Sequence, residues 1–125
     1  MKISILVVDD QRDNAEPLAD FLGDRGYDVT ISTNAQQACH LLESNHFDVV
    51  VMDIWLKSPA GPLVRTIRCL WPDTKIILLS GECPHVIQKY KDEWGADDGV
   101  EKDGEEGENI DSLIQSLCPN LATKN

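Results

Sequence analysis

The sequence predicts an α/β domain in which helices cover both faces of a parallel β-sheet. Several short runs are almost wholly apolar and rich in β-branched residues, as is typical of strands buried on both faces. Between them lie segments whose apolar residues recur at i, i+3, i+4 and i+7, which indicates amphipathic helices. Five such strands alternate with five helices without a long linker or an internal repeat. This alternation predicts a doubly wound sheet.

The predicted strands share an apolar body that ends at a polar or turn residue. They span residues 3–8, 27–31, 47–54, 75–79 and 96–100. The second run alternates apolar and polar residues, which predicts an edge strand with one more exposed face. The fifth has weak strand character because Gly99 interrupts it. We infer this last strand from the alternation of the rest of the chain.

Capping and turn residues predict where the helices begin. A proline ring has no N–H to donate, so Pro17 is placed in the first turn of the first helix, with Asp13 or Asn14 as its cap. Turn and cap residues also precede or open the next three helices: residues 32–34, Pro62 and Pro84. The helix boundaries are therefore predicted from local chemistry alone.

Length and composition indicate one domain. A chain of 125 residues can bury a core without disulfides or a structural metal. We expect one domain over residues 1–120 and a short C-terminal tail over residues 121–125. The formal charge of −11 opposes binding to nucleic acid phosphates, and no cluster of Lys and Arg offsets it. Direct binding of DNA or RNA is therefore not expected.

The cysteines and the first apolar run predict the compartment. The four cysteines form no Cys-x-x-Cys pair, and we interpret them as buried free thiols in a reducing cytoplasm. The run over residues 3–8 ends at Asp9 and Asp10, which makes it too short for a signal peptide or a membrane span. The chain is expected to be cytoplasmic and to have no membrane partner.

Polar side chains follow four of the predicted strands, at the point where each strand ends. They are Asp9 and Asp10 after the first strand, Asp53 at the end of the third, Ser80 after the fourth and Lys102 after the fifth. The carboxyl ends of parallel strands converge on one edge of the sheet. Three carboxylates there repel unless a cation shares the site, and hard oxygen ligands suit Mg²⁺. With a lysine and a hydroxyl they could stabilise a transferring phosphoryl group, for which a carboxylate can be the nucleophile.

Each of these residues also has an ordinary structural explanation when it is taken alone. A carboxylate at a strand end, such as Asp9, is often a helix cap, and a serine before glycine, such as Ser80, is often a turn residue. A single lysine such as Lys102 is often a solvated charge. Their placement at one predicted edge of the sheet favours a common site.

Five elements in a fixed order resemble the response-regulator receiver domain of two-component signal transduction, across essentially the whole chain. They are the acidic pair Asp9 and Asp10, then Asp53, Gly61 after it, Ser80 with Gly81, and Lys102 after residues 95–98. The resemblance implies a flavodoxin-like fold, with a five-stranded parallel sheet of order 2-1-3-4-5 flanked by five helices.

The resemblance also implies the roles of the acidic residues. Asp53 would accept a phosphoryl group from a histidine kinase or a phosphotransfer protein. Asp10, Asp53 and the backbone carbonyl of Trp55 would ligate Mg²⁺, and Asp9 would bind it through water. Ser80 and Lys102 are expected to hold the phosphoryl oxygens.

The implied protein is a phosphoacceptor signalling domain and not an enzyme, since its only reactions are its own phosphorylation and dephosphorylation. Its output would pass through contacts with a downstream protein that the sequence does not identify. A homodimer is left open. A member of this phosphorelay family acts through such contacts when no output domain follows it, which is the expectation for this chain.

Two departures from the family pattern predict an atypical switch. Gly99 stands where the family usually has a tyrosine or phenylalanine that rotates inward, and Asp103 stands where it usually has a proline after the lysine. A cis bond is costly without proline, so the peptide between Lys102 and Asp103 is expected to be trans. Trp55 is hypothesised to shield a phosphorylated Asp53 from water. The alternative is a pseudo-receiver, an interaction module of the same fold that signals without phosphorylation.

Overall fold

The computed structural model, which describes residues 2–57 and 60–119, contains one five-stranded parallel sheet flanked by five helices. The strands lie in the order β2-β1-β3-β4-β5, which confirms the predicted fold class and order. The predicted tail, residues 121–125, lies outside the described residues. The elements in chain order are β1 (Ser4–Val8), α1 (Arg12–Asp24), β2 (Asp28–Ser32), α2 (Ala35–Ser44), β3 (Val49–Asp53), α3 (Gly61–Leu70), β4 (Lys75–Ser80), α4 (Pro84–Trp94), β5 (Asp98–Glu101) and α5 (Glu106–Leu117).

The sheet separates two apolar layers because successive side chains of a strand point to opposite faces. Val50 and Met52 of β3 pack in a cluster with α2, α3 and α4. Val49 and Val51 of the same strand pack in the other cluster, with α1 and α5. All four side chains are fully buried. Both faces of β3 are therefore covered, and its polar end is the part that meets solvent.

The register of the strands fixes which residues meet at the carboxyl edge. In β1, Val8 pairs with Met52, so the next residues of both strands, Asp9 and Asp53, lie side by side. Across β4, Asp53 pairs with Leu79. Ser80 follows and pairs with Glu101 of β5, directly before Lys102. The sheet thus delivers its polar strand ends to one edge.

The predicted start of α1 is wrong. The helix begins at Arg12 after the N-cap Gln11, which makes no side-chain capping bond, and Pro17 lies inside the helix. Asp13 and Asn14 are consequently helical residues and not caps. The helix can start early because the Asp9 carboxylate already accepts the Gln11 N–H, at 2.9 Å. The ring at position 17 is tolerated since this residue is exposed, so water can solvate the carbonyl that it leaves without a helical donor.

Most other boundaries agree with local chemistry. Asn34 caps α2, its side chain accepting the Gln37 N–H at 2.7 Å. Pro62 and Pro84 occupy the first turns of α3 and α4. The strand β2 is an edge strand, as its alternation predicted. The strand β5 begins at Asp98, two residues later than predicted.

The cysteines are all free, but only some are buried. Cys118 is buried and Cys39 is half-buried, whereas Cys69 and Cys83 are exposed on α3 and before α4. The prediction of buried thiols is therefore wrong for the last two. Among the described residues, none of the helices has the length and apolar character needed to cross a membrane.

A buried carboxylate ties α5 to the segment between α1 and β2. Asp111 accepts hydrogen bonds from the Tyr27 hydroxyl, from Arg25 Nη1 at 2.8 Å and from Gln115 Nε2 at 3.2 Å. Burial, followed by the hydrogen bond and charge of Asp111, raises the pKa of Tyr27 far above its ordinary value of 10.0. The folded state therefore holds the tyrosine proton more tightly than the unfolded chain.

Stability is expected to fall as the pH rises above about 10, because the unfolded chain then loses the Tyr27 proton and the folded protein keeps it. Below that pH the contribution is fully present. Urea unfolding between pH 8 and pH 11 measures the effect, and Tyr27→Phe is expected to flatten this dependence. Tyr90→Phe is the matched control. An equal alkaline loss of stability in Tyr27→Phe and wild type would contradict the assignment.

Candidate functional site

The carboxylate of Asp53 is held through both of its oxygens at the end of β3. Its Oδ1 accepts the backbone N–H of Trp55 at 3.0 Å. Its Oδ2 accepts Lys102 Nζ at 2.7 Å. The side chain is 13% exposed, so a small reactant can reach it while the two donors orient it. The carboxylate is therefore both oriented and accessible.

Lys102 links the two neighbouring acids. Its Nζ lies 3.4 Å from Asp9 Oδ2 as well as against Asp53. Burial alone would lower the pKa of Lys102, but the hydrogen bond and charge of Asp53, together with the charge of Asp9, outweigh it and raise that pKa. The lysine is therefore a fixed positive charge at neutral pH. It compensates two carboxylates at once.

Asp9 is a buried acid that depends on this compensation. Burial raises its pKa above the usual range, and the Gln11 N–H and Lys102 only partly oppose that shift. The nearby Asp53 charge also raises it. A buried carboxylate of this kind gains from any further positive charge at the site.

Ser80 and Asp10 complete the predicted set. Ser80 is buried at the end of β4, where its Oγ accepts the Glu82 N–H at 3.0 Å and its carbonyl accepts the Lys102 N–H at 2.8 Å. The serine and the lysine are thus adjacent across the β4–β5 pairing. Asp10 is half-buried and stays outside the ion pairs of Lys102.

The donor set matches the chemistry of a hard divalent cation but is not assembled in advance. Carboxylate and carbonyl oxygens from Asp9, Asp10, Asp53 and Trp55 are the ligand types that Mg²⁺ prefers. Across residues 2–57 and 60–119, no three acidic, histidine or cysteine side chains are already gathered closely enough to hold a metal ion. Lys102 supplies the positive charge that the acids share in this arrangement. The residues fit the cation by chemistry.

Packing fills the space beside Gly99, the position at which the resemblance implies an aromatic side chain. The peptide between Lys102 and Asp103 is trans, as predicted. At Gly99, a Cβ atom would lie 2.3 Å from Ile87 Cγ2 of α4. The side chain of Ile87 therefore occupies the space beside the strand at that position. The sequence predicted either Val86 or Ile87 on the apolar side of the fourth helix and gave no sign of this partner.

An aromatic series connects the site loop with α4. The Trp55 and Tyr90 rings meet edge to face, with centroids 6.2 Å apart and an interplanar angle of 83°. Tyr90 stacks on Trp94, at 4.6 Å and 29°. Trp94 is buried in the core, whereas Trp55 is 42% exposed. The sequence placed Tyr90 and Trp94 on one side of the fourth helix, but it did not predict the contact of Tyr90 with Trp55, which joins two different elements.

The comparisons with known proteins agree on one family. The model of the response regulator receiver domain matches residues 5–114. The chain is 38% identical over 104 residues to the transcriptional regulatory protein AruR of Pseudomonas aeruginosa, covering 78% of this chain and 42% of that protein. It is 34% identical over 103 residues to a response regulator receiver protein of Anaeromyxobacter sp., covering 82% and 38%. The chain thus spans less than half the length of these curated relatives.

Solved structures with the same fold include ligand-bound ones. A receiver domain protein from Methanospirillum hungatei, described as CheY-like, gives a TM-score of 0.84 at 21% identity, with both chains fully covered. TrrA of Thermotoga maritima, solved with Mg²⁺ and BeF, gives 0.80 at 29% identity, covering 94% of this chain and 99% of that one. A Burkholderia pseudomallei response regulator with a phosphorylated aspartic acid and a calcium ion gives 0.79 at 27%, covering 98% and 70%.

Proposed function

The chain belongs to the response-regulator receiver family, and from that premise we propose that Asp53 accepts a phosphoryl group from a histidine kinase or phosphotransfer protein. The observation that carries the proposal is the pairing of Asp53 Oδ2 with Lys102 Nζ at 2.7 Å, beside the buried Asp9. A carboxylate that accepts a phosphoryl group needs positive charge where the negative charge of the transferring group develops, and Lys102 supplies it beside the acceptor oxygen.

In the proposed reaction an oxygen of Asp53 attacks the phosphorus of a phosphohistidine on the donor protein. The bond from phosphorus to the imidazole nitrogen breaks, and its electron pair stays on that nitrogen. Charge develops on the three other phosphoryl oxygens, where Lys102 and the Ser80 hydroxyl donate hydrogen bonds. The product is an aspartyl phosphate at the end of β3.

The proposed metal ligands are Asp9, Asp10, Asp53 and the Trp55 carbonyl. Bound Mg²⁺ supplies positive charge that reduces the repulsion between the carboxylates and the incoming phosphoryl group. This support rests on the ligand chemistry of the site and on the ion-bound relatives of the same fold. Asp9 benefits most, since burial already raises its pKa.

The proposed output is a contact with a downstream protein, through an atypical switch. The packing of Ile87 beside Gly99 supports a route that does not use an aromatic side chain at that position. Direct nucleic acid binding is not proposed, because the net charge of −11 opposes it. We propose the cytoplasm as the compartment, where exposed thiols such as Cys69 stay reduced.

Incubation with acetyl phosphate and Mg²⁺, followed by intact mass measurement, tests the proposal. We expect wild type to gain one phosphoryl group, and Asp53→Asn to gain none because the amide oxygen is a poor nucleophile. Removing divalent cations with EDTA should prevent the gain. Asp73→Asn, which changes an exposed acid between α3 and β4, is the matched control and should react like wild type. A wild type that gains no phosphoryl group would contradict the proposed function.

The second candidate is the pseudo-receiver, which the closed position at Gly99 favours. Such a module would bind its partner equally well whatever the state of Asp53. Once a downstream protein is isolated, its affinity for wild type with and without phosphodonor, and for Asp53→Asn, separates the two functions. Equal affinities would support the pseudo-receiver.

A further inference from the structure

Trp55 is attached to two different parts of the protein. Its backbone N–H donates to Oδ1 of Asp53 at 3.0 Å. Its ring and the ring of Tyr90 on α4 meet edge to face, with centroids 6.2 Å apart. Trp55 is 42% exposed, and the ring of Tyr90 is one of the groups that restrain its indole. A change in the hydrogen bond to Asp53 should therefore alter the ring contact with Tyr90, and a change in that contact should alter the hydrogen bond.

Tyr90 is held much more firmly than Trp55. It stacks on Trp94 at 4.6 Å, and Lys89 Nζ lies 5.6 Å from the centre of its ring. Trp94 is only 7% exposed and fills the space beside Gly61, where a Cβ atom would lie 2.6 Å from the indole Nε1. The series from Trp94 to Trp55 thus runs from a fixed point between α3 and α4 to the loop that carries the acceptor's hydrogen bond.

We propose that Tyr90 is a positioning residue for Asp53: it holds Trp55, whose N–H orients the acceptor carboxylate, and by the same contact it carries the state of Asp53 to α4. The functional half of this inference rests on the proposed phosphorylation. Edge-to-face and stacked aromatic pairs attract each other beyond the burial of their surfaces, which biases a surface side chain toward one orientation. Coupling of this kind acts in both directions.

The first test uses ¹⁹F NMR of protein labelled with 5-fluorotryptophan, which reports on Trp55, Trp71 and Trp94 separately. Asp53→Ala removes the acceptor of the Trp55 N–H without any phosphorylation. We expect the resonances of Trp55 and Trp94 to shift in this variant, while Trp71, at the far end of α3, stays in place as an internal reference. In protein that already carries Tyr90→Leu, Asp53→Ala should still shift the Trp55 resonance but should no longer shift the Trp94 resonance.

The second test measures the rate of phosphoryl uptake by intact mass. Tyr90→Leu is expected to slow uptake on the order of tenfold, because a loosened Trp55 orients the carboxylate less well. Tyr90→Phe keeps the ring and should take up the phosphoryl group at the rate of wild type. Circular dichroism checks that both variants fold.

The outcomes separate the two claims. If wild type takes up no phosphoryl group, the proposed function is contradicted. The Asp53→Ala spectra would still decide whether the aromatic series couples Asp53 to α4. A Trp94 resonance that shifts equally with and without Tyr90 would overturn the coupling. Equal uptake rates in wild type and Tyr90→Leu would overturn the positioning role.

Discussion

Replacing Lys102 with methionine is expected to slow phosphoryl uptake at Asp53 on the order of a hundredfold, the usual cost of losing one preorganised donor at a site where charge develops. The lysine lies 2.7 Å from the acceptor oxygen and is held there by the second acid, Asp9. Methionine keeps an unbranched apolar stem that is one heavy atom shorter, and it removes the charge and the donor. The rate is measured by intact mass over time with acetyl phosphate and saturating Mg²⁺.

The same variant should also change how stability depends on pH. Burial raises the pKa of Asp9 above its usual value of 3.8, and Lys102 partly opposes this shift. A folded pKa that is raised contributes stability below the unfolded pKa and loses it as the pH rises through the folded one. Without Lys102 the folded pKa rises further, so Lys102→Met should be less stable than wild type at pH 7 and more nearly equal at pH 4.

Lys2→Met is the matched control, since it removes the same charge from an exposed position at the amino-terminal end of β1, away from the carboxyl edge of the sheet. It should leave both the uptake rate and the pH dependence unchanged. Urea unfolding at the two pH values gives the stability difference. If Lys102→Met took up the phosphoryl group at the rate of wild type, the lysine would have no role in the transfer.

The site could be predicted from the sequence because parallel strands impose a simple rule. A residue that ends a parallel strand or directly follows it must emerge at the carboxyl edge. Asp9, Asp53, Ser80 and Lys102 could therefore be assigned to one site without a structure. The strand order, in contrast, was predicted only from the family resemblance. Where one element decides the outcome, as for the cap at Asn34, local chemistry was also sufficient.

The start of α1 was wrong for a local reason: the helix accommodates Pro17 in its interior and begins directly after Gln11, whose N–H the Asp9 carboxylate accepts. The other failures come from contact between elements. The exposure of Cys69 depends on how α3 is rotated against the sheet. The packing of Ile87 on Gly99 joins α4 to a strand that the sequence placed two residues early. Spacing within one element carries no information about such pairs.

Replacing Gly99 with alanine is expected to destabilise the fold by about 1–3 kcal/mol, the usual cost of forcing extra atoms into a packed site. The added Cβ would lie 2.3 Å from Ile87 Cγ2. The cause is steric, since Gly99 is not among the residues with positive φ. A β-branched side chain in a helix is restricted to essentially one χ1 rotamer, so Ile87 cannot turn its methyl group away. Thermal unfolding should show a melting temperature lower by several degrees.

The branch of Ile87 offers a matched pair of second-site variants. Ile87→Leu moves the branch away from the β-carbon and removes the conflicting methyl group, so it should restore much of the stability of Gly99→Ala. Ile87→Val keeps that methyl group in the same rotamer and should not. A double-mutant cycle measures the difference, and equal behaviour of the two would show that the clash is not the cause. Because Ile87 fixes α4 against β5 while Tyr90 of the same helix touches Trp55, relief of the clash should also leave the aromatic series intact. The stability of α4 and its response to Asp53 are thus carried by different side chains and can be changed separately.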